Sequence, residues 1–75
     1  MGSQGDTRMN VSVEQLNGGQ WEARVAIATP EGARYFCERG QNQTAALLSL
    51  RQSLRRYHGD SYRQACAAVL ACALA

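Results

Sequence analysis

Apolar and polar residues alternate from Met9 to Leu16, with Met9, Val11 and Val13 on one side and Asn10, Ser12 and Glu14 on the other. That period of two predicts a half-buried strand. Asn17-Gly18-Gly19 follows as a hairpin turn. A second strand is predicted over Gln20 to Ala28, with Trp21, Ala23, Val25 and Ile27 inward and Glu22 and Arg24 outward. A two-residue loop would pair Val13 with Glu22 and mix the faces. A three-residue loop pairs Val13 with Ala23 and Val11 with Val25, keeps the apolar sets together, and needs Gly in the left-handed region.

Thr29-Pro30-Glu31-Gly32 predicts a second turn, and Ala33 to Arg39 a third strand. Here two registers compete. A three-residue loop, Pro30 to Gly32, pairs Ile27 with Tyr35 and Val25 with Cys37. It sets Arg24 opposite Glu38, a cross-strand ion pair contributing roughly 0.2–1 kcal/mol. Phe36 is then outward, beside Arg24, Arg34 and Glu38. A four-residue loop buries Phe36 and exposes Tyr35. The first is the expected register.

After a polar link, Thr44 is the expected N-cap of a helix from Ala45 to about Tyr57. Ala46, Leu47, Leu50, Leu54 and Tyr57 form its apolar side. Leu48, Arg51, Gln52, Arg55 and Arg56 lie away from it. Gly59 is expected to end this helix, and Asp60 or Ser61 to cap a second one from about Tyr62 to Leu74. The fold class is therefore α+β: a three-stranded antiparallel meander, β-β-β-α-α, with two helices packed on one face. Residues 1–7, MGSQGDT, read as a disordered lead-in, and 8–75 as a single domain.

Ala65 to Ala75, ACAAVLACALA, has no charged side chain. It is shorter than the roughly 20 apolar residues that span a bilayer. It is also apolar nearly all round, where a surface helix shows one apolar side. One side should pack on the sheet. The other calls either for full burial in a monomer or for a second copy, with Val69, Leu70 and Leu74 as the candidate dimer contacts.

Composition narrows function further. In 75 residues a core buries only about 60% of the unfolded surface, so stability is marginal. The three cysteines, Cys37, Cys66 and Cys72, are odd in number and follow no signal peptide, and six residues separate Cys66 from Cys72 on a helix. They read as reduced small hydrophobes in a cytoplasmic protein. The net charge is +2, and all eight basic residues are Arg. That balance is too small to mark a nucleic-acid binder by itself. Arg suits bidentate contact with carboxylate or phosphate, but the plainer reading is the coding bias of a GC-rich genome.

No CxxC, HExxH, GxGxxG or P-loop is present, and no metal or cofactor is expected. His58 is the only histidine and reads as an exposed helix-end residue. Glu14, Glu22 and Glu38 belong on an open sheet face, without the pocket that acid–base catalysis needs. The chain reads as a non-catalytic protein.

Binding is the remaining class. Arg24, Arg34 and Phe36 from the sheet, with Arg51 and Arg55 from the helix, are the expected contacts for a protein partner, since aromatic and Arg residues dominate binding hot spots. The alternative is a nucleic-acid module using Arg51, Arg55, Arg56 and Arg63 on phosphates. The plainer reading of those arginines is a solvated helix face.

The stretch Gly18 to Tyr57 resembles the HicB-type antitoxin domain. The likeness is carried by Gly18, Gly19, Trp21, Ala23, Arg24, Val25, Thr44, Ala45, Leu50 and Tyr57. It implies a partial ribonuclease-H-like β-β-β-α core that inhibits a small toxin by binding it. After Tyr57 this chain carries an alanine-rich helix where that family has a further strand and a DNA-binding tail. In scale and lack of chemistry the chain also resembles phage-encoded anti-CRISPR inhibitors, an analogy and not a shared motif. The expected function is inhibition by occluding a functional surface of a larger protein.

Overall fold

The computed structural model describes residues 10–75. The expected lead-in at 1–7 and the position of Met9 lie outside the described residues. Three strands, β1 (Asn10–Gln15), β2 (Trp21–Thr29) and β3 (Gly32–Gly40), form one antiparallel sheet in the order β1-β2-β3. Two helices follow, α1 (Gln43–Leu54) and α2 (Asp60–Leu74). The protein is an α+β fold.

The β1–β2 register has Val13 opposite Ala23 and Val11 opposite Val25, as the apolar alternation requires. Asn17, Gly18 and Gly19 form the three-residue loop. Gly18 and Gly19 take φ of 90° and 91°, a region closed to most side chains. The Leu16 N–H donates to the Gln20 carbonyl at 2.6 Å, and the Gly19 N–H to the Leu16 carbonyl at 3.1 Å.

The β2–β3 register differs from the expected one. Thr29 pairs with Gly32, leaving a two-residue turn at Pro30 and Glu31. The Thr29 hydroxyl closes it, accepting from the Glu31 N–H at 3.3 Å and donating to the Gly32 carbonyl at 2.6 Å. Val25 therefore faces Phe36, Ile27 faces Arg34 and Ala23 faces Glu38. Phe36 lies half-buried against the core, and Tyr35 is 78% exposed. The anticipated Arg24–Glu38 pair does not form. Its worth of roughly 0.2–1 kcal/mol is smaller than the roughly 1.5–3 kcal/mol from burying a Phe. Glu38, now on the helix side, accepts from the Ser53 hydroxyl at 2.5 Å.

Two helix ends also shift. Asn42, in an extended conformation, caps α1, its Oδ1 accepting from the Ala45 N–H at 2.8 Å, so Thr44 is an exposed first-turn residue and not the cap. At the other end α1 stops at Leu54, and Arg56 and Tyr57 continue as a tight turn donating to the Ser53 and Leu54 carbonyls. Gly59, with φ of 123°, stands at the N-cap position of α2 and opens that helix instead of ending α1. Neither Asp60 nor Ser61 caps it; Asp60 occupies its first turn, where a negative charge suits the helix dipole.

The core joins Ala23, Val25 and Ile27 of β2, Ala46, Leu47, Leu50 and Leu54 of α1, and Ala65 and Val69 of α2. Because α1 lies so close, a Cβ on Gly40 would stand 2.5 Å from the Ala46 backbone nitrogen. Val69 is fully buried in this core, which removes it from any dimer contact. Leu70 is half-buried and Leu74 is 77% exposed. All three thiols are free. No helix among the described residues is long and apolar enough to cross a membrane.

The cap assignment makes an unequal pair of predictions. Asn42→Ala should cost about 1 kcal/mol, and Thr44→Ala less than about 0.5 kcal/mol, in chemical denaturation. Equal losses would return the cap to Thr44.

Candidate functional site

The two sides of the sheet differ in charge balance. On the open side the Arg24 guanidinium bonds the Glu14 carboxylate at 3.0 Å and the Glu22 carboxylate at 3.1 Å, and Arg39 reaches Glu22 at 3.6 Å. These are surface pairs, contributing about 0–1 kcal/mol each. Beside them an open depression of about 370 Å³ runs over Ala26 between Ser12, Tyr35 and Cys37. Arg24 is thus engaged with its own sheet.

The helix side carries the aromatic residues. Phe36 meets Tyr57 edge-on at a centroid distance of 5.3 Å and Tyr62 at 6.1 Å, and Tyr57 and Tyr62 stack at 5.0 Å and 18°. Arg34 lies over this cluster. Its guanidinium carbon is 5.4 Å from the Tyr57 ring centre and 5.8 Å from that of Phe36. Its Nη1 donates to the Tyr62 hydroxyl at 3.2 Å. A cation over ring faces gains about 0.5–1 kcal/mol at an exposed site.

On the far side of the tyrosines a cleft of about 270 Å³ opens between the end of α1 and the start of α2. Arg51, Arg55 and Arg63 line it with Tyr57 and Tyr62, over Leu54 and Cys66. Local geometry explains the assembly. Arg51 and Arg55 are four apart, so they share one side of the helix. Buried Leu54 pins that last turn to the core. The short link from 55 to 59, with positive φ at Gly59, reverses the chain and brings Tyr62, Arg63 and Cys66 alongside. The Cys66 thiol makes a long contact of 3.9 Å to the Arg51 carbonyl.

The electrostatics of the cleft are one-sided. Arg63 is paired with the Asp60 carboxylate at 2.5 Å. Arg34, Arg51, Arg55 and Arg56 have no ion pair among the described residues. The Arg51 Nε is shut away from solvent and has no hydrogen-bond partner among the described residues. A buried donor left unmade costs about 1–3 kcal/mol.

Of the residues expected to contact a protein partner, Arg34, Phe36, Arg51 and Arg55 fall on this one side, with Phe36 as the half-buried support of the cluster and not an outward anchor. Arg24 stands on the opposite face. Of the alternative phosphate-binding set, Arg51, Arg55 and Arg63 line the cleft, while Arg56 turns toward a separate dip with Gln52 and Arg55. His58 is exposed in the link between the helices. No group of three or more His, Cys, Asp or Glu side chains among the described residues is placed to hold a metal ion.

The sequence assigned no binding role to Tyr62; Cys66 read as a small hydrophobe, and Tyr57 as part of the apolar side of α1 and of the HicB-type likeness. Their signal is the interleaving of Arg51, Arg55 and Arg56 with Tyr57, then Tyr62 with Arg63, about a Gly-containing link. No family model, curated protein or solved structure matches this chain.

The register and the cluster together predict opposite costs for neighbouring aromatics. Phe36→Ala should destabilise by about 3 kcal/mol, lowering the melting temperature by roughly 10 °C or more. Tyr35→Ala should stay within about 0.5 kcal/mol. A reversed ranking in thermal denaturation would mean that β3 presents its other face to the helices.

Proposed function

We propose that this protein is a non-catalytic inhibitor that docks its arginine–tyrosine face onto an acidic surface of a larger protein and occludes it. The observation that carries this reading is the gathering of unpaired Arg34, Arg51 and Arg55 around three packed aromatic rings. Arg and Tyr are the residue types on which binding energy concentrates, and rings already packed lose little freedom on contact. The β-β-β-α order is also the one that the HicB-type resemblance implies, and proteins of that type act by binding.

The docking face is rigid where it must be and exposed where it must be. Phe36 anchors the tyrosines from beneath, while Tyr57 remains 40% exposed and Arg55 is exposed. The charge balance favours an acidic partner and disfavours a basic one. Three of the four arginines of the nucleic-acid reading also line the cleft, so nucleic acid is the competing partner.

Affinity capture from a host lysate, with and without nuclease, separates the two. The wild-type chain should retain a stoichiometric protein partner that survives nuclease. Arg51→Gln combined with Arg55→Gln should weaken capture by roughly thirty-fold or more, corresponding to about 2 kcal/mol or greater for such anchors, and Arg24→Gln should leave it intact. Loss of the partner on nuclease treatment, or equal capture by all variants, would overturn the proposal.

A further inference from the structure

The cleft also constrains the kind of anion it takes. We infer that it recognises a phosphate monoester dianion, presented by a phosphorylated side chain of the protein partner. This inference rests on the reading of the same cleft as the docking surface and specifies the group at its centre.

Charge is the first argument. Three guanidiniums line the cleft, and the Asp60 carboxylate offsets one of them through Arg63, leaving two positive charges over one small space. A phosphate monoester carries close to two negative charges at neutral pH, whereas a carboxylate or a phosphodiester carries one. The match is to the monoester.

Donor geometry is the second. A guanidinium presents a planar fork that meets phosphate oxygens in pairs. Arg51 holds its Nε buried and without a partner among the described residues, so turning that side chain onto an anion would give the donor a partner that those residues do not supply. Arg55, exposed and without an ion pair among the described residues, stands one turn further along the same side and is free to close on the same anion.

Shape is the third. A nucleic-acid strand needs cations spaced along a track, and the structure divides that set. Arg51, Arg55 and Arg63 share the cleft, while Arg56 lies outside it, in a neighbouring dip that Arg55 also borders. The site is a short open cleft of about 270 Å³ bordered by Tyr57 and Tyr62, of a size for one terminal phosphate group.

The test is a titration of the isotopically labelled full chain, followed by NMR of the Arg Nε–H signals at constant ionic strength. The probes are phenyl phosphate, inorganic phosphate, dimethyl phosphate, acetate and a short oligothymidylate. Phenyl phosphate should shift the Arg51 signal saturably and bind at least about ten-fold more tightly than dimethyl phosphate or acetate, the factor that one charge-assisted contact provides. Arg55→Gln should reduce that affinity by about ten-fold, and Arg56→Gln should not. Tighter binding of phenyl phosphate than of inorganic phosphate would assign the aromatic carrier to the tyrosine wall; equal binding would assign recognition to the phosphate alone.

No saturable shift, or equal binding of dimethyl phosphate and acetate, would overturn the inference. So would tighter binding of the oligothymidylate that depends on Arg56. If phenyl phosphate fails while the Arg51 and Arg55 substitutions still abolish capture of a protein partner, the docking reading stands and the monoester specificity falls alone.

Discussion

The two-residue turn at Pro30 and Glu31, closed by the Thr29 hydroxyl, sets the parity of β3 against β2. Side chains alternate along a strand, so that parity assigns every residue of β3 to a face at once. With Phe36 inward, Arg34 and Glu38 go inward too. Arg34 then lies over the rings of Phe36 and Tyr57, and Glu38 receives the Ser53 hydroxyl of α1. Moved by one residue, the strand would send Phe36 to the open face and take the support from beneath Tyr57 and Tyr62. The cleft between the helices would lose the wall that shapes it.

Much of this was legible in the chain, and the part that was not has a physical cause. The β1–β2 register follows from clean alternation on both strands and from two glycines able to take positive φ, so local evidence suffices. The Leu47, Leu50 and Leu54 side of α1 follows in the same way from helical spacing. β3 has no such signal: Tyr35 and Phe36 put large rings on both parities. The choice between them is made by residues that lie twenty or more positions later, Tyr57 and Tyr62, which a pattern within the strand cannot report. The cap of α1 was misplaced for a related reason. Asn42 and Thr44 are both good caps, and the closeness of α1 to Gly40 of β3 draws the first turn two residues earlier.

Alanine makes that close approach workable. Ala23, Ala46 and Ala65 are fully buried, one from each of β2, α1 and α2. Small side chains let the backbones approach, but each contributes less apolar area than a Leu or Ile would. The large buried side chains are Ile27, Leu47, Leu50, Leu54, Val25 and Val69, and only Val69 comes from α2. The last helix accordingly enters the core with fewer large side chains than α1 does. Ala67, Ala71, Cys72 and Leu74 face outward, and beyond Val69 and Ala65 its hold on the fold is partial.

That unevenness links stability to the cleft. Arg51 belongs to α1 and Arg55 caps its end, Arg63 and Cys66 belong to α2, and Tyr57 lies in the turn between them, so the site exists only while the two helices are docked. An anion held there joins the two helices. It binds the folded chain and not the unfolded one, and the resulting stabilisation grows with the logarithm of its concentration over Kd. In a domain this small such a gain is a sizeable fraction of the total. On the proposed reading, occupancy of the cleft and docking of α2 are linked equilibria: a ligand that fills the cleft would also favour the helix that completes it.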